Sequence, residues 1–242
     1  MITVNTLAVM LPINNITTKE VSDLYPNLFT PAPYTFSIWG LIYLALAGFV
    51  IYQINPQFDR KGILAPSNLI KLRLAFIFSC TLDIFWIFSW QYLKLALSVI
   101  LMLLLLLNLV YINRLTRLIN FNIKEKVFIR APFSLYFGWI TVAVIANITT
   151  FLVGIGWQRF GVSPETWTII ILVIGIIIAS AFVIQNKDYV YAIAIFWAYG
   201  GILVNHFSKA GFGGQYYNIM IVTVACMVTI IVVAMSRSLY RK

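Results

Sequence analysis

Apolar residues in this chain gather in unbroken blocks instead of recurring at every second, third or fourth position. Seven blocks approach the length of a membrane span: Pro33–Gln53, Leu72–Tyr92, Leu95–Ile112, Ala131–Gly154, Thr166–Gln185, Tyr189–Phe207 and Tyr217–Met235. A helix of roughly 20 apolar residues crosses the ~30 Å of hydrocarbon in a bilayer, so each block predicts a transmembrane helix. A further apolar run, Met1–Leu11, is too short for this. It reads either as a half-helix or, as we prefer, as the end of a span that starts upstream. It has neither the basic flank nor the cleavage site of a signal peptide. The expected fold is an all-α integral membrane protein with about eight transmembrane helices.

Composition supports this pattern. Of 242 residues, 62% are hydrophobic and only 10% charged, whereas soluble domains carry about 25% charged residues. Mean hydropathy is +0.93. The net charge of +10 would suit a nucleic-acid partner if the cations formed one patch. Instead they lie in the connections between apolar blocks, as cytoplasmic loops do. With the N-terminus inside, Lys19, Lys94, Arg159 and Lys209 fall outside and the other Lys and Arg inside. This asymmetry fits eight crossings with both termini cytoplasmic, counting Met1–Leu11 as a span; seven crossings, with that segment on the surface, fit it as well. The expected setting is a bacterial plasma membrane, with lipid as the partner and no nucleic acid.

The connections are mostly short. The turn Gln91–Lys94 makes its flanking helices antiparallel neighbours, whereas Pro12–Ala32 is a long, aromatic outer loop. A second outer loop, Trp157–Glu165, divides a five-helix module at 1–156 from a three-helix extension at 157–242.

Little in the sequence suggests catalysis. Cys80 and Cys226 sit in different blocks, and His206 is the sole histidine, so no metal-ligand spacing or cofactor site is expected. No nucleophile elbow, phosphate loop or paired intramembrane carboxylates appear. An enzyme is therefore disfavoured, and an ion-driven transporter loses support for lack of charged spans.

The chemistry-bearing residues lie in three spans. The second begins with Pro31 and Pro33, then places Phe36, Trp39 and Tyr43 on one helical face. These are either an interfacial aromatic belt or, one turn deeper, the wall of a pocket. In the third span, Cys80, Asp83, Trp86 and Trp90 form one stripe. A carboxylate at bilayer depth costs several kcal/mol unless paired, wetted or neutral. Asp83 thus either bonds a neighbouring helix or serves a cavity. The fifth span aligns Tyr136, Trp139, Ala143 and Asn147, and Asp83 is a candidate partner for the Asn147 amide. Gly200 and Gly201 permit close helix approach, and His206 is expected at a wetted outer end.

These motifs, FTPAPYTFSIWGLIY at 29–43, Trp86, and Tyr136 with Trp139 and Asn147, resemble the TspO/MBR family of tryptophan-rich sensory or translocator proteins. The resemblance covers roughly residues 1–156. Asp83 stands where that family usually has Asn, and Pro132 lies four residues before Tyr136 instead of directly before it. The resemblance implies a porphyrin- or sterol-like ligand and a homodimer. Its expected binding residues here are Pro33, Phe36, Trp39, Tyr43, Asp83, Trp86, Trp90, Tyr136, Trp139 and Asn147. Transport of such a ligand, or degradation of a tetrapyrrole, are the alternative activities.

Overall fold

A computed structural model describes Met1, Val4, Asn5, Ala8 and residues 13–54, 66–117 and 119–239, without the side chains of Pro66 and 237–239. Every regular element among them is helical. A short helix in the first loop, α1 (Thr18–Asp23), precedes α2 (Ile38–Ile54), α3 (Pro66–Gln91), α4 (Leu95–Thr116), α5 (Ala131–Gly154), α6 (Pro164–Asn186), α7 (Tyr189–Phe207) and α8 (Tyr217–Leu239). Seven helical segments, one at each of α2 to α8, are long and apolar enough to cross a membrane. Most of the Met1–Leu11 run lies outside the described residues, although Val4, Asn5 and Ala8 are helical. The protein is an integral membrane helical bundle.

Helices are what the lipid solvent permits, because each satisfies its backbone polar groups internally. The large side chains turned outwards are apolar: Leu44 is 71% exposed and Ile51 68%. Polar groups turn inwards and join helices. Asn108 on α4 donates to the Ala75 carbonyl and to Ser79 Oγ on α3, both at 2.8 Å. The Tyr191 hydroxyl on α7 donates to Thr141 Oγ1 on α5 at 3.1 Å. Such bonds contribute about 0.6–2 kcal/mol each in a bilayer.

Helix α5 is the hub. Every residue from Pro132 to Val142 is buried, and α5 packs against α2, α4 and α7. At Gly138 an added Cβ would lie 2.7 Å from the Tyr191 carbonyl oxygen, which shows how closely α7 approaches. Helices α7 and α8 pack together, and α8 pairs with α6. Tyr199 Oη on α7 donates to the Leu172 carbonyl of α6 at 2.8 Å.

Some boundaries shift from the apolar blocks. Helix α3 starts at Pro66, ahead of Leu72, because Lys71 and Arg73 interrupt apolarity without interrupting the helix. Helix α5 is led in by a one-turn helix, Ile123–Glu125, and a π-helical turn, Lys126–Arg130. The short α3–α4 connection closes with left-handed Leu93 at φ 56°.

Candidate ligand cavity beneath the first loop

The first loop is ordered by its own sequence. Thr17 accepts from the Glu20 backbone N–H at 3.2 Å, and the Glu20 carboxylate accepts from the Thr17 N–H at 2.7 Å. This reciprocal capping box starts α1. A Lys19–Asp23 ion pair spans the helix, and Trp90 Nε1–H donates to the Thr18 carbonyl at 3.0 Å, fixing α1 over α3. The backbone N–H of Thr17 holds the Glu20 carboxyl below the usual carboxylate range. A depressed carboxylate stabilises above its unfolded value and loses that effect as pH falls through the folded one. Acidification below about pH 4 should therefore release α1. Faster hydrogen exchange at the Glu20 and Val21 amides, with the spans still protected, is the expected readout.

The other half of the loop is held by α7. The Ala32 N–H donates to the Gly201 carbonyl at 2.9 Å. Trp197 Nε1–H donates to the Thr35 carbonyl and Asn205 Nδ2 to the Thr30 carbonyl, each at 2.9 Å. His206 Nε2 meets the Leu28 carbonyl at 2.9 Å; since a carbonyl only accepts, this nitrogen carries the proton. His206 stands in the last turn of α7, at the end expected for it, but is buried and stacked on Phe212 where a wetted position was expected. Gly201 does serve a close approach, but towards Thr35 of the loop and not towards another helix.

Beneath the loop lies a cavity of about 60 Å³, lined by residues of α1, the loop, α2, α3, α4, α5 and α7. Of the expected binding residues, Phe36, Trp39, Trp86, Trp90, Trp139 and Asn147 line it, together with Pro31 and Ala143. Pro33 and Tyr43 line an adjoining cavity of about 300 Å³, which shares Phe36, Trp39 and Trp86 with the first. Trp39 is the centre of the aromatic group, stacked on Tyr43 and Trp86 and edge-on to Tyr136 and Trp139.

Asp83 and Tyr136 line neither cavity. The fully buried Asp83 accepts from Asn5 Nδ2 at 2.5 Å; its other oxygen has no hydrogen bond among the described residues, although the Tyr136 hydroxyl lies beside this carboxylate. The expected Asp83–Asn147 pair does not form. Asn147 Oδ1 instead accepts from Ser98 Oγ on α4 at 3.0 Å. Asp83 is bonded by Asn5 of the first run and Asn147 by Ser98 of the neighbouring α4. Pattern reasoning also missed Met102 on α4 and Ala198 and Ile202 on α7, which line the first cavity. Small or aliphatic side chains in an apolar helix carry no signal of their role. The capping-box residues Thr17 and Glu20 were the signal available for α1.

The arrangement is a mostly apolar chamber with few polar groups. Two of these, Trp86 Nε1–H and Trp139 Nε1–H, are buried without acceptors among the described residues. No group of His, Cys, Asp and Glu able to hold a metal occurs among those residues.

A family model described as "TSPO-like protein" matches residues 1–236. The chain belongs to the TSPO-like family. The match runs well past residue 156, where the resemblance had been placed, and takes in α6, α7 and most of α8. This agrees with α7 both lining the cavity and holding its loop. No curated protein and no solved structure matches this TSPO-like chain significantly.

Proposed function

We propose that this protein binds a flat, hydrophobic small molecule, of porphyrin or sterol size, between the first loop and α2, α3, α5 and α7. The observation that carries this reading is the pair of buried indole N–H groups at Trp86 and Trp139 beside an apolar chamber. A buried donor without a partner costs about 1–3 kcal/mol. A ligand with hydrogen-bond acceptors on an apolar frame recovers that cost while its frame covers the aromatic wall.

Size adds a requirement. Chambers of about 60 and 300 Å³ compare with roughly 300–1,000 Å³ for pockets that hold drug-sized ligands. Half-buried Trp39 lies at their common wall. Binding therefore moves Trp39 and joins the two.

Titration of the purified protein with protoporphyrin, followed by porphyrin absorbance, tests the reading. Saturable binding is expected, weakened about ten- to a hundredfold in Trp86→Phe/Trp139→Phe, which keeps an aromatic ring at each position but removes both donors. Non-saturable binding, or equal affinity in that variant, would refute it. Uptake of the porphyrin into proteoliposomes would extend the reading from binding to transport.

A further inference from the structure

The opposite end of the bundle carries a second concave site, far from the aromatic cavity. It measures about 510 Å³ and lies where α4 ends, α5 begins, α6 ends and α7 begins. Four cations line it, Arg117, Lys126, Arg130 and Lys187, against the single carboxylate of Asp188. That carboxylate is already engaged. Asp188 is buried and accepts from Ser134 Oγ at 2.6 Å and from the Tyr191 N–H at 3.1 Å, while Arg130 Nη2 approaches to 3.9 Å. Arg130 also donates to the Asn186 carbonyl at 3.0 Å. Lys126 and Lys187 are exposed, and neither has an acceptor among the described residues. The positive charge is therefore in excess and converges from three elements, the π-helical turn among them.

A second feature adjoins it. Tyr189, on the wall of this basic site, also lines an open groove of about 270 Å³ between α7 and α8. The groove is apolar, formed with Ile193, Phe196, Ile231 and Met235. Ile193 is 62% exposed and Met235 61%, so it opens to the lipid. A soluble anion would use only the basic site and leave the groove unfilled. A molecule with a negative head and a hydrocarbon tail fits both at once.

We propose that this face is a site for one anionic phospholipid. Its phosphate lies among Lys126, Arg130 and Lys187, and one acyl chain lies in the α7–α8 groove. Basic pockets at the end of a membrane bundle recognise lipid headgroups through this combination of point charges and interfacial position. The binding does not depend on the occupant of the aromatic cavity.

The full chain in detergent, examined by native mass spectrometry, separates this site from general attraction of anionic lipid to basic loops. Dioleoyl phosphatidylglycerol should be retained at one tightly held copy per chain, and dioleoyl phosphatidylcholine should not. Lys126→Gln/Lys187→Gln should weaken retention about thirtyfold, at roughly 1 kcal/mol per basic residue near a membrane surface. Lys71→Gln/Lys124→Gln removes the same charge outside the site and should leave retention unchanged. Both pairs are on the surface, and equal melting temperatures in lipid-free detergent confirm that both fold. Equal losses in the two pairs would reduce the effect to loop charge and overturn the proposal. Displacement of the lipid by millimolar glycerol phosphate would overturn it too, by assigning the site to a soluble phosphate.

Discussion

Alanine at position 201 is expected to lower the melting temperature and loosen the first loop, although it adds one methyl group. In a helix interior alone, Gly→Ala is favourable by roughly 0.5–1 kcal/mol. Here the new Cβ would lie 2.0 Å from Thr35 Oγ1 and 2.8 Å from Thr35 Cβ. Turning the Thr35 side chain cannot relieve a contact with its Cβ, and Thr35 is fully buried in the 3₁₀ turn Pro33–Ser37. Overpacking of this kind costs about 1–3 kcal/mol and here outweighs the propensity gain. The turn must back away, which stretches the Ala32 N–H bond to the Gly201 carbonyl. Thr35→Gly makes room, and Thr35 Oγ1 makes no hydrogen bond among the described residues that would be lost with it. The penalty of Gly201→Ala should therefore largely vanish in the Thr35→Gly background. Thermal melting of the four chains, with hydrogen exchange at Ala32, checks this. Equal penalties in both backgrounds would show that α7 and the loop do not meet as described.

The second large effect concerns Asp83. Asn5→Leu should destabilise the protein by about 1–3 kcal/mol, because it removes the donor that satisfies a buried carboxyl oxygen. Adding Asp83→Leu should then restore stability, since replacing both members of a buried polar pair by apolar groups is often neutral or better. Asp83→Asn alone should be mild. The amide still accepts from Asn5, and its NH₂ group can face the Tyr136 hydroxyl, which lies beside this side chain. The expected order of melting temperature places the double leucine variant above Asn5→Leu. Were the double variant the less stable, Asp83 would owe its place to a partner other than Asn5.

The spans were legible because lipid imposes one simple demand, a long apolar run: Tyr189–Phe207 matches its helix, and Leu95–Ile112 falls short of its helix only by the last turn, where Asn113 and Arg114 end the run. The start of α3 was not, since Lys71 and Arg73 sit in helical turns where the apolar run has already ended. Within the site, aromatic spacing placed Trp39 with Tyr43 and Trp86 with Trp90, because helical period alone decides which side chains share a face. Partners across helices are a different matter. Asn147 bonds Ser98 and not Asp83, and His206 reaches the Leu28 carbonyl. A backbone carbonyl has no residue-type signature, so such a contact leaves no trace in the pattern. The same holds for Ala198 and Ile202, whose side chains resemble any others in an apolar helix.

The bonds from α7 to the first loop also fix an order of events. Thr35 and Trp197, like Leu28 and His206, are 162 and 178 residues apart in the chain. Synthesis runs from the N-terminus, so α2 to α5 are in place while the partners of Leu28, Thr30, Ala32 and Thr35 are still to be made. Throughout that interval the chamber has an aromatic floor and no finished roof. The roof is completed only when α7 docks on α5. A nascent chain thus offers its aromatic surface to the membrane before the chamber can close over it, and α7 is the helix that ends this exposure.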